Sequence, residues 1–255
     1  MQSQLSKLRF VLPQHMERIP LIRRNIEIYA PVGSIPAPMA RLIIAKFQHF
    51  DPSRQETQTG CRYLLRNMLA SALPESGASW ELSYASSGAP RLSCDGRPSA
   101  INISFAHSGT WLAVGLSYGD KIGVDIEQVK PRRNGRAIAE FLGWKGAVKD
   151  PNDFYAKWTL WEAGAKCIES SALMKQNPGF DQLYRVCTQS HVATSGLWAG
   201  MHDRIDGRAS YAIVLKCNEK TALSQRNLAP GEGRAVVDRG IFRHRTSLGG
   251  RLACA

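Results

Sequence analysis

Lys121-Ile122-Gly123-Val124-Asp125-Ile126-Glu127 is the stretch from which the rest of this chain is read. Apolar residues at 122, 124 and 126 alternate with Gly123, Asp125 and Glu127, a period of two that predicts a strand with one buried face. Asp125 and Glu127 then project side by side from the other face. Neighbouring carboxylates repel unless water or a cation screens them. Such a pair suits Mg²⁺, which takes one or two carboxylates together with waters and substrate phosphates. The alternative is the solvated outer face of an edge strand.

Upstream, 101–105 and 111–117 predict two strands joined through His107-Ser108-Gly109, with a turn at Gly119-Asp120 leading into 121–127. Earlier, Ile26-Glu27-Ile28-Tyr29 opens a strand, Pro31, Gly33, Pro36 and Pro38 break it, and a helix is expected over 39–47. Asp51-Pro52-Ser53 starts a helix with Pro in the first turn. Cys61, Leu64, Leu65, Met68, Leu69 and Ala72 then recur at helical spacing, so 54–73 reads as amphipathic. Residues 80–84 form a strand, with turns at Gly88-Ala89-Pro90 and Asp95-Gly96.

Downstream lie a basic loop at 130–136 and a short helix at 137–142. Asp153 is expected to cap a helix running to about 168, followed by turns and short strands ending at 211–217. This is an α+β pattern. A faint internal echo runs through it: each half has a strand, a Pro-containing break and an Asp-started amphipathic helix.

On the second helix, Phe154, Trp158, Trp161, Ala165 and Ile168 form one stripe, and Tyr155, Thr159, Glu162 and Lys166 its neighbour. Glu162 and Lys166 project together at i and i+4, where an ordinary surface ion pair contributes only a few tenths of a kcal/mol. Gly164 in mid-helix costs roughly 1 kcal/mol against Ala, which close approach of a backbone or ligand would explain. His107, after a strand and before a glycine turn, offers a ring nitrogen and neighbouring N–H groups to a phosphate; its plainer reading is a solvated loop histidine. Arg54, near a helix N-terminus, offers a second phosphate contact or a solvated first-turn side chain.

With 255 residues, 44% of them hydrophobic, the chain supports one large core or two small ones. No apolar run approaches the ~20 residues that cross a bilayer, and 1–24 lacks the apolar stretch of a secretory signal. Six cysteines are spread singly without a Cys-x-x-Cys pair, which argues against a zinc site and for reduced thiols in the cytoplasm. The net charge of +12 favours an acidic partner. Part of the excess lies in a Gly- and Arg-rich tail, expected to be disordered.

Ile122 to Glu127, followed by Trp158-Thr-Leu-Trp-Glu-Ala-Gly-Ala-Lys166, resembles the two signature motifs of the 4′-phosphopantetheinyl transferases, of the larger type serving nonribosomal peptide and siderophore synthetases. Asn102-Ile-Ser-Phe-Ala-His107-Ser-Gly109 is similar to the family's Ser-His-Ser segment, Gly88-Ala-Pro90 to its Gly-Lys-Pro turn, and Asp51-Pro-Ser-Arg54 to its arginine-bearing helix start. The resemblance covers about residues 46 to 168.

The resemblance implies a pseudo-dimer of two similar α+β halves with the site between them. Asp125, Glu127 and Glu162 would hold Mg²⁺ with the coenzyme A pyrophosphate. His107 and Arg54 would bind the coenzyme's phosphates, the Gly88–Pro90 turn would lie against adenine, and Lys166 would contact the pyrophosphate or the phosphopantetheine. Glu162 would orient removal of the proton from the carrier serine and Lys166 would stabilise the leaving 3′,5′-ADP. On this basis the chain divides into an N-terminal extension at 1–25, an N-terminal half at 26–118, a C-terminal half with the metal site at 119–222, and the basic tail at 223–255. A cytoplasmic monomer is expected, acting on an acidic acyl or peptidyl carrier protein and not on a membrane or nucleic acid.

Three departures from the family pattern stand out. Trp161 occupies the position where the family places Lys, Ala106 precedes His107 where serine is common, and 137–149 lacks the aromatic-pair-plus-glutamate segment. Trp161 motivates the alternative of a coenzyme A-binding homologue that has lost turnover. The net charge motivates a nucleic-acid-binding protein, for which no supporting sheet motif or zinc pattern is present.

Overall fold

A computed structural model describes residues 8–10, 26–32, 40–47, 51–72, 79–131, 134–144, 148, 150–169, 182–185, 187, 192–195, 197–216 and 245–246. The N-terminal elements are β1 (Leu8–Phe10), β2 (Ile26–Val32), β3 (Ala40–Phe47), α1 (Arg54–Ala72), β4 (Trp80–Tyr84), β5 (Pro90–Cys94), β6 (Arg97–Pro98), β7 (Ile101–Ser108) and β8 (Trp111–Tyr118). They are followed by β9 (Lys121–Gln128), α2 (Gly135–Phe141), α3 (Pro151–Ile168), β10 (Val192–Ser195), β11 (Trp198–Ile205), β12 (Ala209–Lys216) and β13 (Arg245–Thr246). The mixture is α+β, as the pattern of periods implies.

Three antiparallel sheets form, ordered β13-β2-β3-β8-β7, β10-β11-β12-β9 and β1-β4-β5-β6. Leu64, Leu65 and Met68 of α1 pack on Phe47, Leu112 and Val114 of the first sheet. The other face of that sheet meets the second through Leu42, Ile44 and Ala113 against Ile122, Val124 and Ile126. Leu160, Ala163 and Cys167 of α3 cover the far side of the second sheet at Ala212 and Val214. The layers thus run helix, sheet, sheet, helix. Two of the sheets share a strand order: β3, β7 and β8 pair as β3-β8-β7, and β9, β11 and β12 pair as β9-β12-β11, with other elements inserted between them along the chain.

Several boundaries differ from expectation. Residues 40–47 form a central strand and not a helix. Leu42 and Ile44 face one core while Ala45 and Phe47 face another. A strand buried on both sides shows a continuous apolar run with no period to separate it from a buried helix. Helix α1 is capped by Ser53, with Pro52 ahead of the cap: Ser53 N–H donates to Glu56 Oε2 at 2.7 Å and Glu56 N–H to Ser53 Oγ at 3.3 Å. Helix α3 is capped by Asp150, not Asp153. Asp150 Oδ1 accepts from the Asp153 N–H at 2.8 Å, and Pro151 fills the first helical position. α2 begins at Gly135, two residues before the expected start.

His107 lies within β7, paired with Leu112, and the turn follows at Gly109. Gly109 sits at φ 55°, and a Cβ there would stand 2.0 Å from Gln128 Oε1. The segment read as an N-terminal extension contributes β1, which pairs with β4. The tail contributes β13, which pairs with the edge of β2; the rest of 223–255 lies outside the described residues. Cys61, Cys94, Cys167 and Cys187 are free thiols. Among the described residues, no helix is long and apolar enough to cross a membrane.

Candidate functional site

β7 and β9 are the edge strands of their sheets, and they meet through side chains instead of a main-chain ladder. Val124 N–H donates to Ser104 Oγ at 3.0 Å, and Ser108 Oγ donates to Glu127 Oε2 at 2.6 Å. Ile122, Val124 and Ile126 enter the core between the sheets. Asp125 and Glu127 therefore face α3. The period of two decides this. The solvated-face alternative fails for Asp125, which is only 6% exposed.

α3 comes down on this strand at Gly123, where a Cβ would stand 1.8 Å from the Ala163 carbonyl oxygen and 2.6 Å from the Cys167 amide nitrogen. The close approach expected from Gly164 is thus met on the strand; Gly164 itself is buried. Lys166 Nζ donates to Asp125 Oδ1 at 2.6 Å and to the Val124 carbonyl at 3.2 Å. Trp158 Nε1 donates to Glu127 Oε1 at 3.2 Å, and the Trp158 ring stacks on Phe154 with centroids 6.0 Å apart.

Burial pushes the Asp125 carboxyl up to about 7. Lys166 opposes that shift, while the charges of Glu127 and Glu162 add to it. Glu127 and Glu162 are thus each near enough to Asp125 for their charge to be felt there. Glu162 is half-buried, one turn before Lys166. Asp125 Oδ2 is buried with no hydrogen-bond partner. His107, at the mouth of the seam, is held below the usual imidazole value by partial burial and by Lys166 and Arg54, against Glu127. Arg54 itself is exposed at the start of α1.

Beside this cluster lies a cavity of about 460 Å³, lined by residues of α1, β5, β7, β9 and α3. Of the expected site residues it takes Gly88, Pro90, His107 and Lys166; Arg54, Asp125, Glu127 and Glu162 are not in its wall. Reasoning from sequence missed Arg62 of α1, Arg91 of β5, Lys121 of β9 and Glu169 at the end of α3, all of which line it. None carries a local signal, because each comes from a different element.

Among the described residues, no three His, Cys, Asp or Glu side chains are arranged as a preformed metal cage. The oxygens on the α3 face of β9 still fit Mg²⁺. The orphaned Asp125 Oδ2 lacks a donor or cation, and Mg²⁺ needs only one or two carboxylates when waters and phosphates complete its shell. Trp161 is 9% exposed and packs edge-on against Tyr184, with centroids 6.2 Å apart. A lysine there would sit in the C-terminal core, so this departure is accommodated by packing.

Comparison with known proteins aligns part of the chain. The 4′-phosphopantetheinyl transferases AcpT of Salmonella typhi and of Salmonella typhimurium LT2 are each 31% identical to it over 105 residues, 39% of this chain and 50% of the relative. The similarity is to phosphopantetheinyl transferases. The chain spans about half the length of the curated relatives it matches, and no family model matches it.

Proposed function

We propose that this chain is a Mg²⁺-dependent 4′-phosphopantetheinyl transferase of the larger, pseudo-dimeric type. It moves the phosphopantetheine arm of coenzyme A onto a serine of an acidic apo carrier protein and releases 3′,5′-ADP. One observation carries this reading. Where β9 meets α3, a buried Asp125 with an unpartnered oxygen sits beside Lys166 under the charges of Glu127 and Glu162, next to a cavity rich in cations.

In this reading Asp125, Glu127 and Glu162 hold Mg²⁺ with the pyrophosphate. When bound, the ion neutralises phosphate charge and polarises the phosphorus under attack. His107 and Arg54 bind phosphate groups, and the Gly88–Pro90 turn lies against adenine. The serine oxygen forms a bond to the phosphorus bearing the pantetheine arm as the bond to the 3′,5′-ADP oxygen breaks. Glu162 orients removal of the serine proton. Lys166 Nζ, steadied by Asp125 Oδ1 and the Val124 carbonyl, supplies positive charge where the leaving group becomes anionic. The positive net charge speeds encounter with an acidic carrier.

The test is incubation with coenzyme A, Mg²⁺ and an apo carrier protein, read by intact mass. A gain of one phosphopantetheine on the carrier serine is expected. No gain despite coenzyme A binding would reduce the chain to a binding homologue, and no binding at all would end this reading.

A further inference from the structure

Four cationic side chains (Arg62, Arg91, Lys121 and Lys166) line the cavity, and among its described lining residues one carboxylate faces them, Glu169. Glu169 caps α3 at φ 60°, a left-handed conformation that glycine usually takes at a helix end. Its Oε2 accepts from Arg91 Nη2 at 2.6 Å and from Ser87 Oγ at 3.5 Å, and its Oε1 stands 3.9 Å from Lys121 Nζ. Arg91 and Ser87 come from β5 and the turn before it, and Lys121 opens β9. One carboxylate thus gathers two cations and a hydroxyl from both halves, a donor set that also suits a phosphoryl oxygen.

The geometry points to Glu169 as an internal anion that competes with the ligand for Arg91 and Lys121, and so sets how tightly the cavity takes a polyanion. This role rests on the proposed function, which makes the ligand coenzyme A. With the cavity empty, Glu169 neutralises cations that would otherwise repel one another. When a phosphate-bearing ligand enters, its negative charge is repelled by Glu169, and Arg91 and Lys121 must be shared or surrendered. A plain structural bridge between the halves makes the opposite prediction, because its loss would loosen the cavity and weaken binding.

Calorimetric titration of coenzyme A into the full chain, with Mg²⁺ present, separates the two. Glu169→Gln is expected to bind about two- to fivefold tighter than wild type, the range an exposed ion pair supports. Its affinity should also fall more steeply with added salt, because more cations are left to engage the ligand. Glu169→Gly removes the same carboxylate while relieving the left-handed backbone, so tighter binding by both variants separates charge from helix-end effects. Arg91→Ala should bind more weakly. If the Gln and Gly variants bind no tighter than a wild type that does bind, this role alone is overturned. A wild type that binds no coenzyme A removes the proposed function, and this role with it.

Discussion

Helices α1 and α3 each cover one face of a sheet, yet they rest on their sheets by different means. On α1 the small residue belongs to the helix: a Cβ at Gly60 would meet Leu112 Cδ1 at 2.7 Å and Phe47 Cζ at 3.0 Å, the ends of side chains. Under α3 the small residue, Gly123, belongs to the strand, and what a Cβ would meet there is helix backbone. Side-chain ends adjust to an intruder and main chain does not. The helix that faces the β9 carboxylates is the one fixed by backbone contact. Glu162 and Lys166 flank the point of contact, so the height of α3 over β9 also sets where those two side chains stand.

The largest effect expected from this contrast is at Gly123. Gly123→Ala should destabilise the chain by about 3 kcal/mol or more in urea denaturation, the upper range of overpacking, because α3 must lift. A loss under roughly 1 kcal/mol would break the comparison. Asp125→Asn tests the other side of it. By the proposed function it abolishes transfer, yet the metal-free protein should melt no lower than wild type. The substitution removes a buried carboxylate that lies under two others with one oxygen unpartnered. A marked drop in melting temperature would make Asp125 a structural residue.

Cys61 sharpens the comparison from the α1 side. It lines the cavity but is only 4% exposed, and burial pushes its thiol up to about 12. A raised pKa leaves less thiolate, about one part in 10⁴ at pH 8, so maleimide labelling should be slow and rise about tenfold per pH unit. Labelling at the rate of an exposed thiol would mean that α1 moves readily off its sheet. The smallest effect is expected at Gly60. Gly60→Ala gains roughly 1 kcal/mol of helix propensity against the displacement of two side-chain ends, leaving stability within about 1 kcal/mol of wild type.

The strand β9 was legible because both of its faces obey one period, apolar inward and carboxylate outward. The Glu162–Lys166 pair was legible because i and i+4 is a local relation. β3 misled because burial on both faces erased its period, and only its pairing with β2 and β8 makes it a strand. Gly123 stood inside the decisive motif, but its reason lies forty residues away in Ala163 and Cys167. The same holds for Ser108, whose hydroxyl fixes Glu127 from the neighbouring sheet, and for the ring of charge around Glu169. Relations that span the seam leave no trace in neighbouring residues.

Between β8 and β9 the chain has only Gly119 and Asp120, pinned by the Gly119 N–H to the Ala100 carbonyl at 2.9 Å and by the Ser117 hydroxyl to the Asp120 carbonyl. A tether of two residues reaches under about 10 Å even when stretched. The start of β9 is therefore held beside the end of β8, on the side where β9 also meets β7 through Ser104 and Val124. Severing the chain at that turn would make the meeting of β7 with β9 depend on concentration, where at present one covalent chain holds the two strands together.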